Sequence, residues 1–512
     1  MKSTTMSAWR RLVWITVALV AAFTAAHPSR AHAGTTASRE LGQVDFVHNA
    51  YNTVDPQVLA VASTQTGIAV DLSATPNHVY VTDPGNNRVL GYSSVTALTN
   101  GAPASIVIGQ PDFASSSTDY NGITPTALSE PRGVAVDSSG NVYVADSGNN
   151  RVLVFSNPFT ILNATGQNSG FAATMVLGQA GDFTSYGCNV GASNPSADTL
   201  CFPEGVVLDG SNNLYVADTS NNRVLEFNTP FPSGSFKANK VFGQFGNFTT
   251  NTANNSGVSK DSLNAPTGVA VDIHNNLYVA DTTNNRVLEY NTPLTVTGIP
   301  GSGDTSADEV WGQGGSFGTA NCNGGGVSAT ALCSPGKVAL DASANLYIPD
   351  TSNNRVLEYN ESANPPTNRT ANVILGQTNS TSSSCNQGGA NPSFATLCQP
   401  TSAAVDSGGN VFVVDSNNNR MVRYNAAIST DEAASVVIGQ PDFVHKAENL
   451  VDPASLDLPR QIAIDASATP NHLFAADSQN SRVLGWLNAG GFANGAPADL
   501  VIGQPDFESS SC

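Results

Sequence analysis

One stretch, Gly133 to Phe155 (GVAVDSSGNVYVADSGNNRVLVF), recurs in edited form seven times along the 512-residue chain. Within it, Gly133 to Asp137 is a short β-branched apolar run, a strand signal. Ser138-Ser139-Gly140-Asn141 is turn chemistry, with small polar side chains and a glycine free to take positive φ. Val142 to Asp146 predicts a second strand, Ser147-Gly148-Asn149-Asn150 a second turn, and Arg151 to Phe155 a third strand. A fourth run, Met175 to Gln179 (MVLGQ), follows a looser connection. Four short strands joined in order by turns make an antiparallel meander. Its first two strands are apolar on both faces (Val134, Ala135 and Val136; Val142, Tyr143 and Val144). A lone meander leaves one such face wet, whereas a meander stacked between like neighbours buries both.

The seven second-strand aspartates are Asp83, Asp146, Asp218, Asp281, Asp350, Asp415 and Asp477, spaced 63, 72, 63, 69, 65 and 62 residues apart. That period holds a four-stranded sheet plus long loops, with no helical pattern inside it. Radial repetition of four-stranded antiparallel sheets is an all-β propeller. The units run from Gly67 to Phe113, Pro131 to Phe183, Pro203 to Phe248, Pro266 to Phe317, Pro335 to Gln377, Pro400 to Phe443 and Pro459 to Phe507. In the fourth, PTGVAVDIHNNLYVADTTNNRVLEY (Pro266 to Tyr290), the patterns P-x-G-V-A-V-D, Y-V-A-D and N-N-R-V stand together. These units resemble NHL repeats over nearly all of the chain after residue 40. The resemblance implies a propeller and no particular activity, because that family hosts binding modules and enzymes alike.

Residues 1–33 read as an export signal. Lys2, Arg10 and Arg11 form a basic start, Leu12 to Ala26 is apolar, and Ala31-His32-Ala33 supplies a small-x-small cleavage site. The propeller domain is then 34–512, with no stretch apolar enough to span a bilayer. Export predicts a secreted, periplasmic or cell-surface protein. The chain carries a formal charge of −19, and removal of the signal leaves −23. So acidic a protein lacks the basic footprint that nucleic acid or an anionic membrane surface demands. Six cysteines fall into close pairs, Cys188 with Cys201, Cys322 with Cys333 and Cys385 with Cys398. Each pair lies in a loop between a fourth strand and the next first strand, and an oxidising compartment makes them disulfides.

Leu41 to Phe46 (LGQVDF) echoes the fourth-strand ending IGQPDF at Ile108 to Phe113, which suggests an early outer strand that closes the ring. Seven blades in one ring is the favoured closure. Six blades plus an overhanging unit is the alternative, because unit seven repeats features of unit one. Both carry SATPNH (Ser73 to His78, Ser467 to His472) and VIGQPDF, and the chain stops at an unpaired Cys512. That period of six units suggests a chain truncated inside a longer array.

The meander puts the second turns and the long fourth-to-first loops on one end of the ring. The Asp–Arg pairs flanking each second turn (Asp146 with Arg151, Asp218 with Arg223, Asp281 with Arg286) recur in every unit. A single site on a ring needs asymmetry, so these pairs read as structural ties at hairpin ends. Asymmetry appears where first strands begin, near the axis. At the template Gly133 position stand Gly67, Gly133, Gly205, Gly268, Lys337, Ser402 and Gln461. One residue earlier stand Thr66, Arg132, Glu204, Thr267, Gly336, Thr401 and Arg460. Arg132, Glu204, Lys337, Arg460 and Gln461 are therefore the candidate ligand-binding residues of a channel mouth.

Enzymes of related architecture hold metals in the channel, amidating lyases through histidines and gluconolactonase-like propellers through Glu, Asn and Asp. Here the histidines fall in loops and turns (His48, His78, His274, His445, His472), and the first strands offer no carboxylate before their terminal Asp. No metal, no other cofactor and no catalytic residue is implied. The expected role is a binding or interaction scaffold for a protein, peptide or glycan, through the long-loop face. A metal-dependent lyase or lactonase and a structural surface-repeat protein are the alternatives.

Overall fold

The protein is described by a computed structural model over residues 54, 59–60, 66–93, 103–229, 235–297, 301–360, 369–426, 428–446 and 452–510, except Pro505 and Glu508. Within residues 50–512 it forms seven four-stranded antiparallel sheets, each built from four consecutive strands. In blade 2 these are Pro131–Val136, Val142–Asp146, Arg151–Phe155 and Met175–Leu177. The sheets close into one seven-bladed propeller. Seven hydrophobic clusters hold it together, one at each blade–blade interface. Blade 2 shows why both faces of its strands are apolar. Val142 and Val144 pack toward blade 1, while Tyr143, Val152 and Val154 pack toward blade 3.

The seventh interface excludes the six-plus-one arrangement. Phe474, Ala476 and Val483 of the last blade share a core with Val79, Val81 and Leu90 of the first. Leu59 is buried in that core, and its N–H donates to the Gly503 carbonyl at 2.7 Å. Across the same seam the Asn77 amide donates to Asp465 at 2.6 Å. Among the described residues every blade supplies its own four strands, so closure there rests on packing rather than strand exchange. The Leu41 to Phe46 segment, the export signal and Cys512 lie outside the described residues.

The repeated Asp–Arg pairs are structural, but they are not exposed hairpin-end pairs. All seven have no solvent-exposed side-chain surface, with Nε–Oδ2 distances of 2.7–2.8 Å. Blade 4 shows the arrangement. Arg286 donates from Nε to Asp281, from Nη1 to the Phe317 carbonyl, and from Nη2 to the Ser259 and Ser262 carbonyls. Asp281 in turn accepts from the Asn264 N–H and the Asn284 amide. The pair thus clamps the incoming and the outgoing long loop to the hairpin between them. Burial pushes the equivalent Asp146 carboxyl up to about 6, against the downward pull of Arg151 and of the Ser129 and Asn149 hydrogen bonds.

The N-N-R pattern has a separate reason for each residue. The first asparagine, Asn149 in blade 2, donates to Asp146. The second, Asn150, takes the left-handed conformation (φ 55°) that ends a 3₁₀ turn over Ser147–Asn149. Its side chain then accepts from the Phe202 N–H of the next blade at 2.7 Å. The residue after the aspartate ties blades again: the hydroxyls of Ser147, Thr219, Thr351 and Ser416 donate to the carbonyls of Pro203, Pro266, Pro400 and Pro459. At the opposite end of the ring the first-strand aspartates close their own turns. Asp137 accepts from the N–H groups of Ser139 and Asn141 and from the Asn141 amide.

Two local expectations are corrected. An α-helix, α1 (Pro158–Thr165), sits in the third-to-fourth connection of blade 2, where no helical pattern was read. Eight residues are too short to show a period. The Asn157 side chain caps the helix by accepting from the Thr160 N–H, and Phe159 packs on His78 and Tyr80 of blade 1. The second correction concerns His78 and His472, which are not loop residues but open second strands (His78–Asp83, His472–Asp477). They occupy the place of Asn141 in blade 2 and lie 2.9 and 3.4 Å from Asp71 and Asp465.

Candidate functional site

The starts of the first strands converge on an axial cavity of about 340 Å³ at the long-loop end. All five residues singled out from the sequence line it: Arg132, Glu204, Lys337, Arg460 and Gln461. Thr267, Thr282, Thr351 and Thr401 add hydroxyls to its wall. Thr282 and Thr351 went unnoticed in the sequence, although both directly follow a second-strand aspartate.

Close packing of the inner strands sets the shape. A Cβ at Gly67 would stand 2.6 Å from the Arg132 carbonyl, and one at Gly133 would stand 2.3 Å from the Glu204 carbonyl. Only glycine fits there, which accounts for its recurrence in the pattern. Blade 5 departs from this. Its glycine is displaced one residue toward the N-terminus, so Gly336 fills the tight slot, where a Cβ would stand 2.4 Å from the Thr401 carbonyl. The first strand shortens to Ala339–Leu340, and Lys337 falls in the lumen where blades 1 to 4 have glycine. Facing it, Gly268 of blade 4 is uncrowded: a Cβ there would meet the Lys337 Cα at an ordinary 3.9 Å.

The charges at the cavity differ in their neutralisation. Arg132 pairs with the buried Glu204 at 2.8 Å and lies 3.7 Å from Glu130. Its guanidinium also stacks over the Phe202 ring, 4.5 Å from the centroid. Lys337 and Arg460 make no ion pair among the described residues. Water reaches the Lys337 side chain, yet the ring encloses it, and the lost hydration pulls its ammonium below the ordinary value. Among the described residues Glu204 is the one carboxylate on the wall, and no imidazole or thiolate joins it. That donor set suits hydrogen-bonded recognition of a polar ligand better than a divalent cation. Among the described residues, no group of three His, Cys, Asp or Glu side chains is placed to hold a metal ion.

The rim around the cavity is held firmly. Cys188–Cys201, Cys322–Cys333 and Cys385–Cys398 are disulfides, each within one long loop. The backbone N–H of Cys201, Cys333 and Cys398 donates to Asp218, Asp350 and Asp415 of the buried pairs at 2.6–2.7 Å. Disulfide and clamp therefore fix the same loop.

The NHL repeat family matches residues 128–155, 200–227, 263–290 and 397–424, which are the cores of blades 2, 3, 4 and 6. Of the unmatched blades, blade 5 has its displaced glycine and blades 1 and 7 have histidine in place of asparagine, while blade 6 is matched although Ser402 replaces its glycine. A search of curated proteins found no match. Among solved structures, a streptogramin B lyase is 12% identical with a TM-score of 0.43, covering 85% of this chain and 92% of its own. A catalytically inactive virginiamycin B lyase from Staphylococcus aureus with quinupristin is 10% identical (TM-score 0.43; 82% and 94% covered). Kuenenia stuttgartiensis hydrazine synthase is 9% identical (TM-score 0.47; 87% and 99% covered). At such identities these likenesses bear on neither substrate nor chemistry. The four family matches and the seven four-stranded blades place the chain among the NHL-repeat β-propeller proteins.

Proposed function

We propose that this is an exported binding protein whose ligand seats in the axial cavity at the long-loop end of the propeller. One observation carries the reading: the few first-strand starts that differ between blades are the ones that project polar and charged groups into a single concavity. A mostly apolar wall with a few converging polar groups is what small-molecule sites share. The clamped, disulfide-bonded loops supply a preorganised rim, which lowers the entropic cost of binding. A volume of about 340 Å³ fits a small molecule, one sugar unit or a single side chain of a partner. Export is supported by the basic-apolar start of the sequence and by three disulfides, which suit an oxidising compartment. Among the described residues no helix is long and apolar enough to cross a membrane.

The test is a ligand-observed NMR screen of small polar compounds against the disulfide-intact protein and against Gln461→Trp, which plugs the cavity. Binding lost in the plugged variant supports the reading. Binding that survives the plug, or a screen without binders, overturns it.

A further inference from the structure

The lysines and arginines of this chain are few, and their placement is uneven. After residue 50, nine of them lie outside the seven buried Asp–Arg pairs, and three of those nine line the axial cavity. This concentration stands out on a chain with 40 acidic against 21 basic residues. Arg132 is answered by Glu204 and, more distantly, by Glu130. Lys337 and Arg460 are answered by no carboxylate among the described residues, although they face one cavity from blades 5 and 7. Two like charges held in one lumen without an acidic partner among the described residues repel each other. Blade 5 nonetheless gives up its regular first strand to put one of them there. The cavity wall also carries Thr267 and Thr401, and Gln461 can donate its amide beside the two charges.

We infer that the cavity is an anion site that takes a small molecule bearing two negative charges, a dicarboxylate or a phosphomonoester. Lys337 supplies a point charge and Arg460 a planar fork that donates to two oxygens of one carboxylate or phosphate. Arg132, already neutralised by Glu204, acts as wall. The inference rests on the reading of the cavity as a ligand site and adds the class of ligand.

Calorimetry at constant ionic strength tests it, with succinate, glycerol 3-phosphate, glucose and choline as probes of the disulfide-intact protein. The expected result is binding of one or both anions and of neither other probe. Lys337→Met and Arg460→Gln should each weaken that binding about tenfold or more, as loss of a charge-assisted hydrogen bond does. Both variants should unfold at the temperature of the parent protein, which separates lost recognition from lost folding. Preference between the two anions tells carboxylate from phosphate recognition. Anion binding that is absent, or that both variants retain in full, overturns the inference. If glucose or choline binds instead and Gln461→Trp abolishes it, the cavity remains a ligand site and only the anion assignment fails. If no compound binds the cavity, both readings fall.

Discussion

Two sets of charges in this propeller contrast sharply. The Asp–Arg pairs occur in all seven blades, are sealed from water, and have their guanidinium nitrogens and carboxylate oxygens hydrogen-bonded to the loops they clamp. The axial charges occur once each, meet the lumen, and include two cations without an acidic partner among the described residues. Repetition around a ring marks a group that every blade needs for its own assembly. Singularity marks a group that the ring as a whole presents. The buried carboxylates Glu226 and Glu289 fall between these extremes, since the third strands of blades 3 and 4 bury them without a clamping arginine.

The largest expected difference sets the two sets against each other directly. Arg286→Met leaves Asp281 and three loop carbonyls buried without their donor, and should cost about 3–5 kcal/mol. Lys337→Met removes a water-accessible cation with no ion-pair partner among the described residues, and should change stability by less than about 0.5 kcal/mol. Denaturant unfolding of both variants measures this. Equal losses would abolish the distinction between clamp and lumen charges.

The intermediate class predicts a pH effect. Burial, reinforced by Asp272 and Glu309, pushes Glu289 up to about 8, and burial and Asp209 push Glu226 up to about 7. The folded chain therefore keeps protons that the unfolded chain releases near pH 4.5, so stability falls as pH rises from about 4.5 to about 8. Glu289→Gln should flatten that slope and stabilise the fold at pH 8.5 by a few kcal/mol while changing little at pH 4.5. Thermal unfolding across that range decides it. A parent protein more stable at pH 8.5 than at pH 5 would contradict the assignment.

The smallest effect concerns the hydroxyl ties between blades. Ser147→Ala removes the 2.5 Å bond to the Pro203 carbonyl and should cost about 1 kcal/mol. Ser147→Thr should cost less, because Thr219 and Thr351 make the same tie in their blades. A loss as large as that of Arg286→Met would place these ties among the principal clamps.

Much of this was legible in the chain, for reasons that can be named. The strands, turns and period follow from local pattern, because turn residues and β-branched runs act within a few residues. The five axial residues stand where otherwise like units differ from one another. Other features depend on distant segments. Asp–Arg pairs beside a turn look like surface hairpin ends, and only the loops packed over them, Phe317 on one side and Ser259 and Ser262 on the other, take them out of water. The displaced Gly336 is visible in the sequence, but its meaning depends on the Thr401 carbonyl of the next blade. Helix α1 and the strand positions of His78 and His472 likewise rest on capping and on contacts with neighbouring turns.

The amino-acid sequence by itself determined that this chain makes seven like meanders, each with two apolar faces, cysteines in three long loops, and unlike residues at the first-strand starts. Those properties are local, encoded within each unit. The tertiary structure alone decided that the seventh meander closes on the first, that the repeated ion pairs are buried, and that three cations share one cavity. Each of these depends on how stacked blades meet around an axis, a geometry that sums over the whole ring and appears in no single unit.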